Sequence, residues 1–306
     1  MEKQKAFVIV NPTAANGRVA TQWPLVKQRL EALGLEFDFR LTARPAHATE
    51  IAREAVSAGI RLVVAYGGDG TLLEVVNGLF GERGKPSLAT LGIIPGGTGS
   101  DFVRTLGIPH DWEEACNRLV NGTVRLVDVG YATFRDLGGD ETAMYFVNVA
   151  GLGFDGEVVE RVQRSSKALG GTATYLLNLL ATLVSYRNKH VTLRFDDSAQ
   201  ERRLNLIVVC NGRYFGGAMY IAPPADLQDG EFDLVILGDF SKPELVANVP
   251  KVYKGTHLTH PKVEIHKARR VSVEAQERML VQADGELIGQ APATFQVIPG
   301  VLRVIA

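Results

Sequence analysis

The chain has 306 residues, with 33 Lys and Arg against 34 Asp and Glu, a formal net charge of -1 and 46% hydrophobic residues. That length predicts two domains, and the balanced charge argues against a nucleic-acid binder that works by neutralising phosphates. The 2 cysteines, Cys116 and Cys210, lie far apart without metal-ligand spacing, which argues against a disulfide framework and fits a reducing cytosol.

The opening Met1-Glu2-Lys3-Gln4-Lys5 carries no apolar signal segment. The apolar helical stretch Tyr175–Val184 is too short to span a bilayer and contains Asn178 and Thr182. A cytoplasmic protein that meets a membrane only peripherally is the expectation. Ala6–Val10 reads as a first strand ended by Asn11-Pro12. Asn11 and Arg18 then stand at its carboxyl end, where open α/β sheets place ligands. There follow an amphipathic helix to about Leu33 with Gly34 as its C-cap, a strand Leu35–Leu41 ending in Thr42, an Ala-rich helix His47–Ala58 stopped by Gly59, and a buried strand Leu62–Ala65. This β-α-β-α-β rhythm predicts a parallel sheet with helices on its faces.

The last of these strands runs into Gly67-Gly68-Asp69-Gly70-Thr71, and Leu72-Leu73-Glu74-Val75-Val76 opens a helix. Thr71 and Glu74 have the spacing of a capping box. A strand, a glycine turn and a helix N-terminus make an anion site, because glycines let the backbone approach a phosphate and N–H groups point at it. Asp69 beside phosphates calls for a cation between them, so the pattern points to phosphate with Mg2+ and Asp69 coupled to the metal. The strand Ala89–Ile94 runs into a second such turn, Pro95-Gly96-Gly97-Thr98-Gly99-Ser100-Asp101-Phe102. Two turns at neighbouring strand ends are expected to face one nucleotide. Thr98 is then a hydroxyl donor to phosphate, and Asp101 supports the metal, holds a neighbouring loop or caps the next helix. Asp111-Trp112-Glu113-Glu114 opens a further helix closed by Asn121-Gly122, and Val124–Val129 is a strand carrying Asp128 among apolar neighbours.

From about Tyr131 short alternating segments replace that rhythm: Ala143–Val149, Phe195, Leu204–Cys210, Phe232–Leu237, Val263–Ile265 and Val271–Glu274, with Gly151-Leu152-Gly153 read as a turn. They predict a β-rich, sandwich-like second domain. Gly156–Tyr186 interrupts it with helical sequence, basic at Arg161, Arg164 and Lys167 and apolar at Tyr175, Leu176, Leu177, Leu179, Leu180 and Leu183. It reads as a helix on the domain core, or as a flap that admits a lipid from an anionic membrane. Asp226-Leu227-Gln228-Asp229-Gly230-Glu231 suits either an Asp-Gly hairpin turn or a hard cation. His260, Lys262, His266, Lys267, Arg269 and Arg270 form a basic cluster that suits a solvated sheet face or an anionic membrane contact. Asp284-Gly285-Glu286 stands at a turn between Met279-Leu280-Val281 and Leu287-Ile288, where two carboxylates can divide the work of base and cation partner. Ala293–Ile298 and Val301–Ile305 are strands expected to return to the first domain. The expected boundaries are thus 1–130 joined by 291–306, and 131–290.

In this order the motifs resemble the diacylglycerol kinase catalytic-domain family, specifically the soluble bacterial lipid kinases. The resemblance rests on the paired turns, Asn11-Pro12, Gly151-Leu152-Gly153-Phe154-Asp155, Ala225-Asp226-Leu227-Gln228-Asp229-Gly230 and Asp284-Gly285-Glu286, and covers nearly the whole chain. NAD kinases and phosphofructokinases carry a turn like the first; the second favours lipid kinases. The resemblance implies an α/β nucleotide-binding domain of that NAD kinase/phosphofructokinase-like kind plus the sandwich-like domain, with ATP in the cleft. It implies nucleotide contacts from Thr42, the turn Gly67, Gly68, Asp69, Gly70, Thr71, Leu72 and Leu73, and Thr98 with its neighbours Gly97 and Asp101. It also implies a structural Mg2+ held by the Asp229 side chain and main-chain oxygens of Asp226 and Glu231. Of the last pair of carboxylates, it makes one the base; Glu286 is preferred, with Asp284 turned to metal or substrate. One departure is Ser100, where the family often has Asn.

The activity implied is an ATP- and Mg2+-dependent kinase for a lipid hydroxyl, first that of diacylglycerol to give phosphatidic acid. The alternatives are phosphatidylglycerol, a sphingoid base, a polyprenol, a soluble acceptor such as NAD or a sugar, and a nucleotide-responsive lipid-binding protein without turnover. The expected partner is a lipid at a membrane surface and not nucleic acid; a homodimer is allowed.

Overall fold

The computed structural model describes residues 5–80, 88–164 and 171–306; the side chains of residues 171–176 and 180 are outside that description. Residues 1–4 and Lys167 therefore lie outside the described residues, as do the side chains of Tyr175, Leu176 and Leu180. The chain divides into two units, Met1–Val129 with Gly300–Ala306, and Gly130–Pro299.

The first unit runs β1 (Ala6–Val10), α1 (Arg18–Ala32), β2 (Phe37–Leu41), α2 (His47–Ser57), β3 (Leu62–Gly67), α3 (Asp69–Leu79), β4 (Thr90–Pro95), α4 (Asp101–Leu106), α5 (Trp112–Asn121) and the start of β5 (Val124–Arg135). Its sheet is parallel in the order β2-β1-β3-β4, and Arg303 and Val304 add a further parallel partner to β4. Both central strands are buried almost end to end, as a sheet covered on both faces requires. Val19, Trp23, Val26 and Leu30 of α1 and Cys116 and Leu119 of α5 pack with Val8, Val10, Val64, Tyr66 and Ile94 of the strands. The partner that buried Asp128 needs is the Gly300 N–H, 2.7 Å from its Oδ1, which fixes the returning segment.

Thr71 and Glu74 do not form a capping box. The Gly67-Gly68 turn starts α3 at Asp69, with Gly68 as an N-cap that has no side chain to offer. Glu74, a turn further on, reaches α2 instead and accepts the N–H groups of Ala46 and Ala48 at 2.8 and 3.0 Å. Those are donors that a helix start leaves unpaired, at the positive end of its dipole.

The second unit continues with β6 (Glu141–Phe146), β7 (Val149–Gly153), α6 (Phe154–Arg164), α7 (Gly171–Ser185), β8 (Lys189–Phe195), β9 (Ser198–Leu204), β10 (Leu206–Cys210), β11 (Tyr214–Phe215), β12 (Met219–Tyr220), β13 (Phe232–Leu237), α8 (Lys242–Tyr253), β14 (Val263–Ala268), β15 (Arg270–Ala275), β16 (Leu280–Ala283) and β17 (Glu286–Ile305). Antiparallel pairing orders β14-β13-β10-β7-β16-β17, and a second run, β9-β8-β15, joins β17 further along. This is the β-sandwich domain: β17 serves β16 through Glu286–Gln290 and β15 through Ala293–Gln296. Phe146, Phe232 and Phe295 meet in its core, the first two stacked at 5.7 Å between ring centroids.

Two expectations change. Pairing of Ala293–Gln296 with β15 keeps that stretch in the second unit, so the return begins at Gly300 rather than at 291. Gly151-Leu152-Gly153 is not a turn but lies in β7; the chain turns earlier, between Phe146 and Val149.

In the first unit a Cβ on Gly78 of α3 would lie 2.4 Å from the Thr49 oxygen and 2.6 Å from the Ala52 Cβ of α2. Gly78→Ala gains helix propensity of about 1 kcal/mol but must push the two helices apart, at about 1–3 kcal/mol. Thermal unfolding is expected to show a net loss of stability; an equal or higher melting temperature contradicts this packing.

Candidate functional site

The two glycine turns leave hydrogen-bonded neighbours, β3 and β4, in register at Gly67 and Pro95. The Gly96 N–H donates to the Gly67 oxygen at 2.8 Å. A Cβ on Gly97 would stand 2.6 Å from the Gly68 Cα, and one on Gly68 3.3 Å from the Gly97 Cα. The two main chains therefore touch, and a side chain at Gly97 does not fit at the contact. Asn11, at the end of β1, ties in a third strand: its N–H donates to the Tyr66 oxygen at 3.0 Å and its Nδ2 to Thr71 Oγ1 at 2.8 Å.

Asp69 holds the second turn. Its Oδ2 accepts the Ser100 N–H at 2.8 Å and its Oδ1 the Asp101 N–H at 3.2 Å. The sequence pointed this carboxylate at a metal; in the fold both oxygens serve main-chain donors at the start of α4, where the nearest anion is favoured. Asp101 is buried and opens α4, but the residue before it, Ser100, makes no side-chain cap, so Asp69 supplies the capping from across the contact. Ser100 sits at φ 53, a left-handed conformation that suits Asn better than Ser, which is the physical content of the family departure at this position.

Of the other nucleotide candidates, Thr98 is exposed and Thr42, Gly70 and Gly97 are half-buried. The Thr42 N–H is taken by the Val10 oxygen at 2.8 Å. Leu72 and Leu73 are each 4% exposed, so their side chains anchor α3 in the core. Two glycine turns in contact, the N-terminus of α3 and the exposed Thr98 hydroxyl fit a polyphosphate.

The acidic turn of the second unit is a two-residue hairpin. Asp284 and Gly285 both have positive φ, 47 and 86, and Ala283 pairs with Glu286. The Asp284 carboxylate accepts three main-chain N–H groups, from Val147, Asn148 and Val149, each at 2.9 Å. Burial pushes its pKa up to about 6, and those hydrogen bonds draw it partly back. The chain between β6 and β7 is thereby wrapped around Asp284, whose expected role towards metal or substrate is replaced by an anchoring one. Glu286 is exposed and accepts Gln163 Nε2 of α6 at 3.1 Å. Sequence reasoning gave no role to Gln163, Gln282 or Asp155. Asp155 is fully enclosed, and burial raises its pKa to about 7 against the pull of hydrogen bonds from Gln282 and Gly156.

The turn expected to hold a structural Mg2+ has other partners. Asp229 Oδ2 lies 2.6 Å from Lys267 Nζ, which also meets Asp233 at 2.7 Å, and Glu231 pairs with Arg269 at 3.5 Å. Asp226 Oδ1 and Asp229 Oδ1 accept the N–H groups of Gln228 and Glu231 in their own turn, each at 3.0 Å. An ammonium thus pairs with the carboxylate that was expected to hold a dication. Among the described residues no three His, Cys, Asp or Glu side chains converge as a metal site. Four of the six residues of the basic cluster are likewise paired with acids: Lys262 with Glu244, His266 with Glu264, and Lys267 and Arg269 as above.

Two family models match. Residues 5–132 match the diacylglycerol kinase catalytic domain, and residues 148–306 the YegS C-terminal NAD kinase beta sandwich-like domain. A diacylglycerol kinase of Bacillus subtilis (strain 168) is 33% identical over 95% of this chain and 93% of its own. One of Staphylococcus carnosus (strain TM300) is 30% identical over 96% and 92%. Two solved structures from Bacillus anthracis str. Sterne share the fold. One reaches a TM-score of 0.80 at 28% identity over 100% of this chain and 96% of that one. The other, of a diacylglycerol kinase, reaches 0.72 at 25% over 100% and 97%.

Asp155 and Asp284 hold protons to about pH 7 and about pH 6 in the folded protein, whereas an unfolded Asp releases its proton near pH ~4. Between those limits the folded state binds more protons, so their contribution to stability is full at low pH and is lost as pH rises through the folded values. The contribution of these two acids to the unfolding free energy is expected to rise by about 1 kcal/mol when the pH is lowered from roughly 8 to 6.5. Within the same window His110 and His257, whose burial holds their pKa down, oppose that rise, because an unfolded His already takes up its proton near pH ~6.5. Denaturant titrations of the wild type against Asp155→Asn across the window isolate the larger share from the His effect; an equal pH dependence in the two proteins contradicts the assigned shift.

Proposed function

The chain belongs to the diacylglycerol kinase family and is a lipid kinase, and we propose that it transfers the γ-phosphoryl group of ATP to the hydroxyl of diacylglycerol, giving phosphatidic acid and ADP. The observation that carries the nucleotide half is the contact of Gly68 with Gly97, which sets the two glycine turns side by side at the N-terminus of α3. Main-chain N–H groups from Gly68 to Thr71 and at Gly97 hold the phosphates, and the Thr98 hydroxyl donates to one of them. Asp69 keeps the second turn seated against the first, and Asn11 keeps the first turn seated on β1. ATP brings the phosphoryl group with a bound Mg2+ that neutralises its charge, and Asp69 and Asp101 are the carboxylates of these turns that would hold that ion.

Glu286 takes the proton of the attacking hydroxyl. Of the two acids in its turn it is the exposed one, while Asp284 is committed to three main-chain donors. A base must reach the proton that it abstracts, so exposure decides between them. Among the described residues no helix is long and apolar enough to cross a membrane, and the lipid is met at a membrane surface.

Incubation with γ-labelled ATP, Mg2+ and total lipid extract is expected to place the label in phosphatidic acid. Label in phosphatidylglycerol, a sphingoid base or a polyprenol moves the substrate, and label only in an aqueous acceptor overturns the lipid assignment for this chain. Glu286→Gln is expected to lower kcat by about 10²–10⁴ with the KM for ATP little changed. An unchanged kcat removes Glu286 as the base.

A further inference from the structure

Asp155 is a buried acid to which the reaction above gives no task. It stands in the first turn of α6, and its Oδ1 accepts the Gly156 N–H at 2.8 Å. Its Oδ2 accepts Gln282 Nε2 at 3.0 Å. Gln282, itself 3% exposed, accepts the Gly285 N–H on Oε1 at 2.9 Å. The bonds run Asp155–Gln282–Gly285 and end one residue before Glu286.

The direction of this relay is set at both ends. A main-chain N–H only donates, so Gln282 must turn its oxygen to Gly285 and its NH2 to Asp155. The group at position 155 must therefore accept there while it also accepts the Gly156 N–H. A carboxylate does both, one oxygen to each donor; an Asn side chain has one oxygen and fails at one of them. The surroundings are shaped for that carboxylate: a Cβ on Gly151 would lie 1.6 Å from Asp155 Oδ2, which is why β7 carries glycine there. The titratable groups that face it are Tyr186 and Cys210, both kept neutral by burial, and among the described residues Asp155 makes no ion pair. An unpaired buried carboxylate is costly, so a packing role alone would favour a neutral side chain.

We propose that Asp155 is a positioning residue, which through Gln282 holds the Gly285 amide and so fixes the turn that presents Glu286 to the substrate hydroxyl. This rests on the assignment of Glu286 as the base. It also makes the turn sensitive to pH. A proton taken up near pH 7 weakens the acceptor at one of the two N–H donors, so the turn loosens as the pH falls through that value.

Three variants separate the relay from simple packing. Asp155→Asn sets two NH2 groups against each other, and turning either amide leaves another N–H without an acceptor. Gln282→Glu sets two carboxylates against each other. The double variant Asp155→Asn with Gln282→Glu restores every bond, because the introduced amide donates to the introduced carboxylate, which still accepts the Gly285 N–H. The readouts are kcat and KM with ATP and diacylglycerol in detergent micelles, and NMR amide exchange at Gly285 without substrates. Each single variant is expected to lower kcat and to speed Gly285 exchange by about tenfold, as loss of one hydrogen bond of about 1.4 kcal/mol gives, with KM within about twofold. The double variant is expected to recover both to within about threefold of the wild type. A double variant no better than either single one overturns the proposal. So does wild-type exchange in Asp155→Asn, or faster exchange with unchanged kcat. Exchange at Gly285 reports the relay directly, so it stays informative if Glu286→Gln shows the base to lie elsewhere.

Discussion

The contact of two glycine turns under one carboxylate is the constraint on which the first unit's site depends. Parallel strands that are hydrogen-bond neighbours deliver their carboxyl ends side by side, and at Gly67 and Pro95 the register brings the two turns level. Side-chain-free backbone at Gly68 and Gly97 lets the chains touch, but contact alone does not hold a loop. Asp69 supplies the hold, with one oxygen on the Ser100 N–H and the other on the Asp101 N–H. Hydrogen bonds to a charged acceptor contribute about 1.5–3 kcal/mol each, comparable to what an exposed loop loses in freedom when a few residues are ordered.

The same device recurs through the molecule. Glu74 takes two main-chain donors at the start of α2, Asp284 three between β6 and β7, and Asp155 one directly and another through Gln282. Glu74 and Asp284 are acids that motif reading gives to a local cap or to ligands, and each serves the backbone of a different segment, whereas Asp155 is an acid to which it gave no role. The fold uses carboxylates to hold irregular stretches, where no strand or helix ladder satisfies the N–H groups. That division leaves Glu286 as the exposed acid of its turn. It also explains the raised pKa values: segments that need such anchors are buried, and burial opposes the charge that does the anchoring.

Local chemistry was legible in the sequence, and distant pairing was not. Glycine turns after apolar runs, the Asp-Gly hairpin at Asp284 and the switch from strand–helix rhythm to short alternating strands all act within a few residues, and each is where the sequence placed it. The partner of Asp69 lies about thirty positions away and becomes visible only once β3 and β4 are neighbours. Lys267 reaches Asp229 and Asp233 because β13 and β14 pair with Asp233 opposite Lys267, which no spacing rule supplies. Gly151-Leu152-Gly153 misled for a physical reason: glycine usually breaks a strand, whereas in β7 its missing Cβ makes room for the Asp155 carboxylate.

The role of Asp69 in joining the two turns is tested most directly by amide exchange at Ser100 and Asp101 in protein free of nucleotide and Mg2+. In Asp69→Ala both amides should exchange about tenfold faster or more, as loss of a charge-assisted hydrogen bond requires, while the strand amides of β3 and β4 stay protected. Wild-type protection at Ser100 and Asp101 in that variant would mean that the turns hold each other without Asp69, and would contradict the account.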